Sequence, residues 1–241
     1  RFGESVDYLP VDTIHDVFAA VEKGKASYGV VPVENSIEGG ISATQDALTK
    51  EIDGRTERVA DSAELATMFR ALNELPMPLI GRINGPAYGG GLCLAAACDL
   101  RLAAESATFC GAGIKNGLTG TELGVSWILP RMIGAARAFE LILTGREIGA
   151  QEAERIGLVS RVVPDATLLD VALDLAEQIC AHSPHGVAMT KRVLWSNLET
   201  SSLHAAMDLE ARNQLLVRMT TNNLDEAIRA RREGRKPSFQ D

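Results

Sequence analysis

Ile83-Asn84-Gly85-Pro86-Ala87-Tyr88-Gly89-Gly90-Gly91-Leu92-Cys93-Leu94-Ala95 is the stretch on which the reading of this chain turns. Pro78–Ile83, just ahead, is an apolar run of strand length, and Gly90–Ala97 has the alanine-rich composition of a helix. The glycines at the join have no side chains, so a ligand oxygen can approach the main chain there. A helix starting at that point directs free N–H groups and the positive end of its dipole at the oxygen. That is half of an oxyanion hole, the device that stabilises negative charge on a thioester or ester carbonyl. Taken alone, Gly-Gly-Gly is read equally well as a tight strand-to-helix turn with close backbone packing.

Composition sets the outer bounds. A chain of 241 residues can bury a substantial core, as one large domain or one domain with an appendage. Apolar content of 46% and charged content of 23% are ordinary for a soluble globular protein. A formal net charge of −8 argues against general affinity for nucleic acid. The basic tail Arg229, Arg231, Arg232, Arg235 and Lys236 is a local exception, read as a solvated helix face or as positive charge that attracts the phosphates of a ligand. No stretch approaches the roughly 18–20 apolar residues of a membrane span, and no signal-peptide pattern is read at the start. Cys93, Cys98, Cys110 and Cys180 lack metal-ligand spacing, and Cys93 and Cys98 fall in an apolar segment as small core hydrophobes. The expectation is a reduced, cytoplasmic protein without a bound metal. The histidines sit in no Ser-His-Asp or Cys-His arrangement; His182 and His185 flank Pro184 in an expected loop, and His15 and His204 fall in expected helices.

Along the chain, strands come first and helices later. Thr13–Lys23 is expected to be a helix, Tyr28–Val33 a short strand, and Asp61–Leu75 an amphipathic helix stopped by Pro76. Pro78–Ile83 is expected as a strand, Gly90–Ala97 as a helix and Asp99–Ala103 as a strand. Beyond Ala135 the expected helices are Ala136–Leu143, Ala150–Ile156, Ala166–Ala181, Gly186–Asn197, Leu203–Thr220 and Leu224–Glu233. Val159–Val163 is the single strand expected among them. The polar stretch Lys50–Arg58 is the nominated junction between two parts. This order fits an α/β or α+β spiral with a helical C-terminal third.

Several further runs carry a resemblance. Asn84-Gly85-Pro86-Ala87 with Gly89-Gly90-Gly91, Cys98-Asp99-Leu100-Arg101, Leu129-Pro130-Arg131-Met132-Ile133-Gly134 and Leu143-Thr144-Gly145-Arg146 follow one another in a familiar order and spacing. Ala150-Gln151-Glu152-Ala153-Glu154-Arg155-Ile156-Gly157-Leu158-Val159 continues it, and Glu226-Ala227-Ile228 through Lys236-Pro237-Ser238-Phe239 closes it. Together, residues 50–241 resemble the crotonase family, the enoyl-CoA hydratases and isomerases. The resemblance implies a ββα superhelix, with a core over about 50–195 and a helical oligomerisation region over about 196–241. Residues 1–49 instead resemble a fragment of prephenate dehydratase, through Val17-Phe18-Ala19-Ala20-Val21-Glu22-Lys23-Gly24 and Tyr28-Gly29-Val30-Val31-Pro32-Val33-Glu34-Asn35-Ser36. That enzyme's Thr-Arg-Phe signature is absent, so the chain reads as a chimera with the family's N-terminal strands replaced by a βα-type fragment. The spiral sheet then has an open edge, unless Tyr28–Val33 pairs there.

What the crotonase resemblance implies for chemistry is specific. Gly90, the middle glycine, matches the family's second oxyanion donor, and Ala87, Gly89, Gly91 and Gly113 fall at substrate-binding positions. The place of the first donor is held by Glu38-Gly39-Gly40-Ile41-Ser42-Ala43-Thr44-Gln45-Asp46, a poor match. The two hydratase glutamates fall at Cys93 and Gly113, and neither transfers a proton as a carboxylate does. Glu122, in Gly117-Leu118-Thr119-Gly120-Thr121-Glu122-Leu123-Gly124, stands where family isomerases and hydrolases place an acidic residue. A single carboxylate in an apolar pocket can shuttle a proton between carbons. As a plain helix-start glutamate it is equally explained by the macrodipole.

The expected function is therefore an acyl-CoA thioester enzyme of hydratase or isomerase type, with Gly90 as donor and Glu122 as proton carrier. Coenzyme A would enter as part of the substrate, with no tightly bound cofactor. A chimera that folds but lacks a complete oxyanion hole is the alternative, and prephenate dehydratase the remote third. The resemblance also implies trimers or a dimer of trimers, with the last helices packed between subunits.

Overall fold

The computed structural model describes residues 30–32, 49–52, 55–58 and 69–239. They divide into two units. One takes the described residues up to 73 and Leu79–Ala172; the other takes Glu74–Pro78 and the chain from Leu173.

The described residues of the first unit form three sheets. Strands β1 (Val30–Pro32), β4 (Ile80–Ile83), β6 (Leu100–Ala104) and β9 (Arg161–Val163) form an all-parallel sheet in that order. β2 (Thr49–Ile52) and β3 (Arg55–Arg58) form a separate antiparallel hairpin. Strand β5 (Pro86–Tyr88) pairs in parallel with β7 (Thr108–Cys110), which pairs antiparallel with β8 (Glu147–Gly149). Helices α1 (Gly90–Ala97), α2 (Val125–Ile133), α3 (Ala135–Thr144) and α4 (Ala150–Ile156) complete it. Parallel strands covered on both faces need nearly continuous apolar sequence, and Ile83, Leu102 and Ala103 are fully buried accordingly. Phe109 and Ile148 from the smaller sheet join Leu129 and Leu158 in the same core.

The expected edge pairing is present: Val30, Val31 and Pro32 lie in register with Ile80, Gly81 and Arg82. Pro32 has no N–H, which suits it to an outermost strand. Helix α1 keeps its expected bounds, and the stretch 69–74 is helical with Phe69 and Leu72 buried. The helix expected over Thr13–Lys23 and the first part of Asp61–Leu75 lie outside the described residues. The nominated junction Lys50–Arg58 contains most of the paired strands β2 and β3.

Three further differences have physical causes. β5, β7 and β8 are each three residues long, too short to show a period of two. β8 also means that Val159–Val163 is not the lone strand among the later helices. Helix α2 begins ten residues before the expected helical region and contains Pro130. A proline removes one helical hydrogen bond, but α2 buries Val125, Ile128, Leu129 and Ile133 along one face, and this packing outweighs the break.

In the second unit, α5 (Leu168–Cys180, which begins in the first unit) is followed by α6 (Pro184–Asn197), α7 (Leu203–Thr220) and α8 (Asn223–Glu233). Pro184 is not in a loop: it starts α6, where its missing N–H leaves no helical bond unmade, and the Ser183 hydroxyl caps the turn by accepting from the Gly186 N–H. The same hydroxyl accepts from Asn223 Nδ2 at 3.0 Å, tying the start of α8 to the start of α6. Lys191, buried on α6, donates from Nζ to the Met77 carbonyl at 3.0 Å. Glu226 is the hub of the C-terminal tail, accepting from Arg235 Nη1 at 2.6 Å and from the Ser238 N–H at 2.9 Å, with Arg229 also bonded. Arg235, then the Ser238 N–H and Arg229, hold its carboxyl well below the usual carboxylate range. Two of the basic-tail residues thus fasten the tail rather than stand free.

Candidate active site

The Gly89–Gly91 turn forms as its sequence suggests. β5 ends at Tyr88, the Gly89 N–H donates to the Cys110 carbonyl at 2.9 Å, and α1 begins at Gly90. Gly89 has φ +51° and ψ −116°, a conformation that L side chains avoid, so glycine is required there. The first helical bond runs from the Cys93 N–H to the Gly89 carbonyl, so Gly90 has no intrahelical acceptor for its own N–H. Among the described residues, nothing stands within 4 Å of a Cβ built on Gly90, which leaves open space in front of it. Ala87 and Gly91 are buried and shape the turn from behind, while Gly89 and Gly90 are half-buried.

Glu122 reaches this turn from another part of the chain. Its Oε1 lies 3.7 Å from the point where a Gly89 Cβ would sit. The backbone beside it is unusual: Leu123 has φ +49°, and Gly124, which starts α2, has φ +86°. Two successive left-handed residues turn the chain sharply at Glu122, and for Leu123 that conformation is strained. No sequence signal marks Leu123 for this role. The Glu122 carbonyl accepts from the Val125 N–H at 2.9 Å and from the Cys93 thiol at 3.6 Å. Helix α1 and the Glu122 turn are thereby joined from behind the site. Glu122 itself is exposed, not walled in by apolar side chains as the sequence reading supposed.

Cys93 is 2% exposed, and burial, reinforced by the nearby Glu122 charge, pushes its thiol up to about 12. It remains protonated at neutral pH and serves as packing and as a weak donor. Gly113 lies in a 3-10 turn, Ala112–Asn116, whose Ala112 Cβ is 4.0 Å from the Gly89 Cβ position. A Cβ on Gly113 would stand 2.4 Å from the Thr119 carbonyl oxygen, so this position admits no side chain. Gly89, Gly90, Glu122 and the Gly113 turn are therefore brought together, with a single carboxylate among them. The segment Glu38–Asp46, expected at the first donor position, lies outside the described residues. Among the described residues, no group of three or more His, Cys, Asp or Glu side chains is arranged to hold a metal ion.

A parallel sheet, a glycine turn at a helix start and a carboxylate beside that turn make up the candidate site. The family model for enoyl-CoA hydratase/isomerase matches residues 9–241, and the chain belongs to that family, with its crotonase fold. The match thus takes in most of residues 1–49, the segment expected to be of separate origin. "Probable enoyl-CoA hydratase EchA12" of Mycobacterium tuberculosis is 55% identical over 170 residues, 70% of this chain and 60% of that protein. This chain thus spans well under two thirds of that relative's length. A probable enoyl-CoA hydratase/isomerase from Mycobacterium abscessus superposes with TM-score 0.72 at 47% identity, over 74% of this chain and 69% of the other. A monofunctional enoyl-CoA isomerase from M. smegmatis gives TM-score 0.56 at 52% identity, over 59% of this chain and 67% of the other.

Proposed function

We propose that this chain acts on acyl-CoA thioesters, moving a proton between carbons with Glu122 while the Gly90 N–H holds the carbonyl oxygen. The observation that carries the reading is the approach of Glu122 Oε1 to Gly89, beside the open space at Gly90. Removing a proton from the carbon next to the thioester carbonyl yields an enolate, whose negative charge falls on that oxygen. Glu122 takes the proton and returns it to a different carbon, shifting the double bond. Adding water instead calls for a second group to activate it. Cys93 stays protonated and Gly113 has no side chain, which favours isomerisation over hydration. The similarity to a monofunctional isomerase supports the same choice. Coenzyme A belongs to the substrate, and no tightly held cofactor enters the scheme.

The crotonase-like part over residues 50–241 carries this activity. Residues 1–49 are kept as a segment of separate origin, supported by the run Val30-Val31-Pro32-Val33-Glu34-Asn35-Ser36. Four cysteines outside any disulfide, three of them buried, support a reducing, cytoplasmic setting. Among the described residues no helix is long and apolar enough to cross a membrane. Assembly into trimers or hexamers is supported by Leu203, Met207, Leu215 and Met219 on α7, all more than half exposed.

The test begins with calorimetric titration of crotonyl-CoA and, separately, prephenate. Micromolar binding of the thioester and no heat from prephenate are expected. Glu122→Gln should then lower turnover of a 3-enoyl-CoA by about 10² or more without loss of binding. Turnover that persists in this variant removes Glu122 as the proton carrier.

A further inference from the structure

The oxyanion turn is anchored by a side chain outside the catalytic set. Tyr88, Cys110 and Glu147 lie in one row across the β5–β7–β8 sheet, since Tyr88 is in register with Cys110 and Cys110 with Glu147. The Tyr88 hydroxyl crosses β7 to donate to a Glu147 carboxylate oxygen on β8, and it lies 2.9 Å from Thr108 Oγ1. A hydroxyl-to-carboxylate bond is among the stronger hydrogen bonds, and here it links strands that the backbone ladder joins only through β7. The next two residues are Gly89 and Gly90. Gly89 prolongs the β5–β7 pairing through its bond to Cys110 and then turns left-handed. Glycine is the most permissive residue, so the direction of the Gly90 N–H depends on what fixes the residues around it. On the α1 side the Cys93 bonds supply that hold. On the strand side the side-chain hold is Tyr88. Ala87, 0% exposed, faces the opposite side of the sheet and packs in the core.

We propose that Tyr88 is a positioning residue of the oxyanion turn: its hydroxyl, bonded to Glu147 and Thr108, fixes the strand end that aims the Gly90 N–H at the thioester oxygen. It does not touch substrate. The inference rests on the thioester reading given above and adds to it the device that keeps a three-glycine turn rigid. Misplacement of a polarising group by a fraction of an ångström to an ångström lowers turnover steeply and substrate binding little.

The test compares the whole chain with Tyr88→Phe, Glu147→Gln and Glu147→Ala, using 2,4-hexadienoyl-CoA as a spectroscopic probe and a 3-enoyl-CoA for turnover. A polarised thioester moves the dienoyl absorbance to longer wavelength. Wild type should show this shift. Tyr88→Phe, which keeps the ring, should bind the probe within about 3-fold, lose half or more of the shift, and turn over about 10- to 100-fold slower through kcat alone. Glu147→Ala should reproduce those losses, and Glu147→Gln, which still accepts from the hydroxyl, should restore most of the shift. Because Glu147 is exposed, its variants keep the test open if Tyr88→Phe does not fold. Full shift and kcat within about 2-fold of wild type in Tyr88→Phe or in Glu147→Ala overturn the role of Tyr88 while leaving the thioester reading intact. A wild-type chain that leaves the probe's absorbance unmoved overturns the thioester reading, and the role of Tyr88 with it.

Discussion

Cys93 and Glu122 meet at one contact and differ in what surrounds them. The thiol is sealed in the core against the Glu122 carbonyl, whereas the Glu122 carboxylate stands at the surface beside the glycine turn. With its thiol pushed up to about 12, Cys93 carries almost no thiolate at pH 8. Cys180 is exposed. Iodoacetamide at pH 8 should therefore label Cys180 and spare Cys93 in the folded chain, and both should react in denaturant; peptide mass mapping reads the difference. Prompt labelling of Cys93 without denaturant contradicts the sealed contact. The identity of Glu122 as the acidic candidate was legible in the sequence from its neighbours in Gly117–Gly124. Its placement against Gly89 was not, because it depends on the left-handed Leu123, a residue whose side chain gives no hint of that backbone.

At the scale of elements, the glycine turn and the Ala112–Asn116 turn depend on each other. The Leu118 N–H donates to the Gly113 carbonyl at 3.0 Å, closing the loop so tightly that a methyl group at Gly113 would strike the Thr119 carbonyl. Gly113→Ala should lower stability by about 1–3 kcal/mol and reduce turnover as the Ala112 wall moves away from Gly89. Gly85→Ala, where a new methyl meets nothing within 4 Å among the described residues, should stay within about 0.5 kcal/mol of wild type. Thermal unfolding of the pair, with kcat, checks both; equal behaviour removes the steric argument. Loss of a carboxylate position at Gly113 is thus fixed by local packing, not merely by residue identity.

At the scale of the molecule, α7 states what a lone chain leaves unfinished. It has no buried residue among its eighteen, and Leu203 and Met219 are 74% and 75% exposed. α6 adds Leu194, the residue after it adds Leu198, and α8 adds Leu224 and Ile228. Apolar surface of that kind is stabilised by being covered, and a second and third copy of the chain supply the covering in the proposed assembly. Light scattering at micromolar concentration should give three or six times the 25.8 kDa of the single chain. Leu215→Glu with Met219→Glu should shift that mass toward the monomer. A monomeric mass in the unsubstituted chain overturns the assembly.

Sequence alone determined the elements whose signals are local: the strand at Ile80–Ile83, the helix bounds Gly90–Ala97, Ala150–Ile156 and Leu203–Thr220, and the family to which the chain belongs. Each is written in short-range periodicity, in glycine and proline, or in a run of motif residues. Tertiary structure decided the rest. β5, β7 and β8 exist only because three-residue segments distant in sequence pair with one another. α2 persists through Pro130 because its buried face outweighs a lost hydrogen bond. The candidate site, Glu122 against Gly89 with Cys93 beneath and Tyr88 bonded to Glu147, joins residues up to 59 positions apart. Such contacts form when the chain closes on itself, and no local pattern encodes the distance at which they will meet.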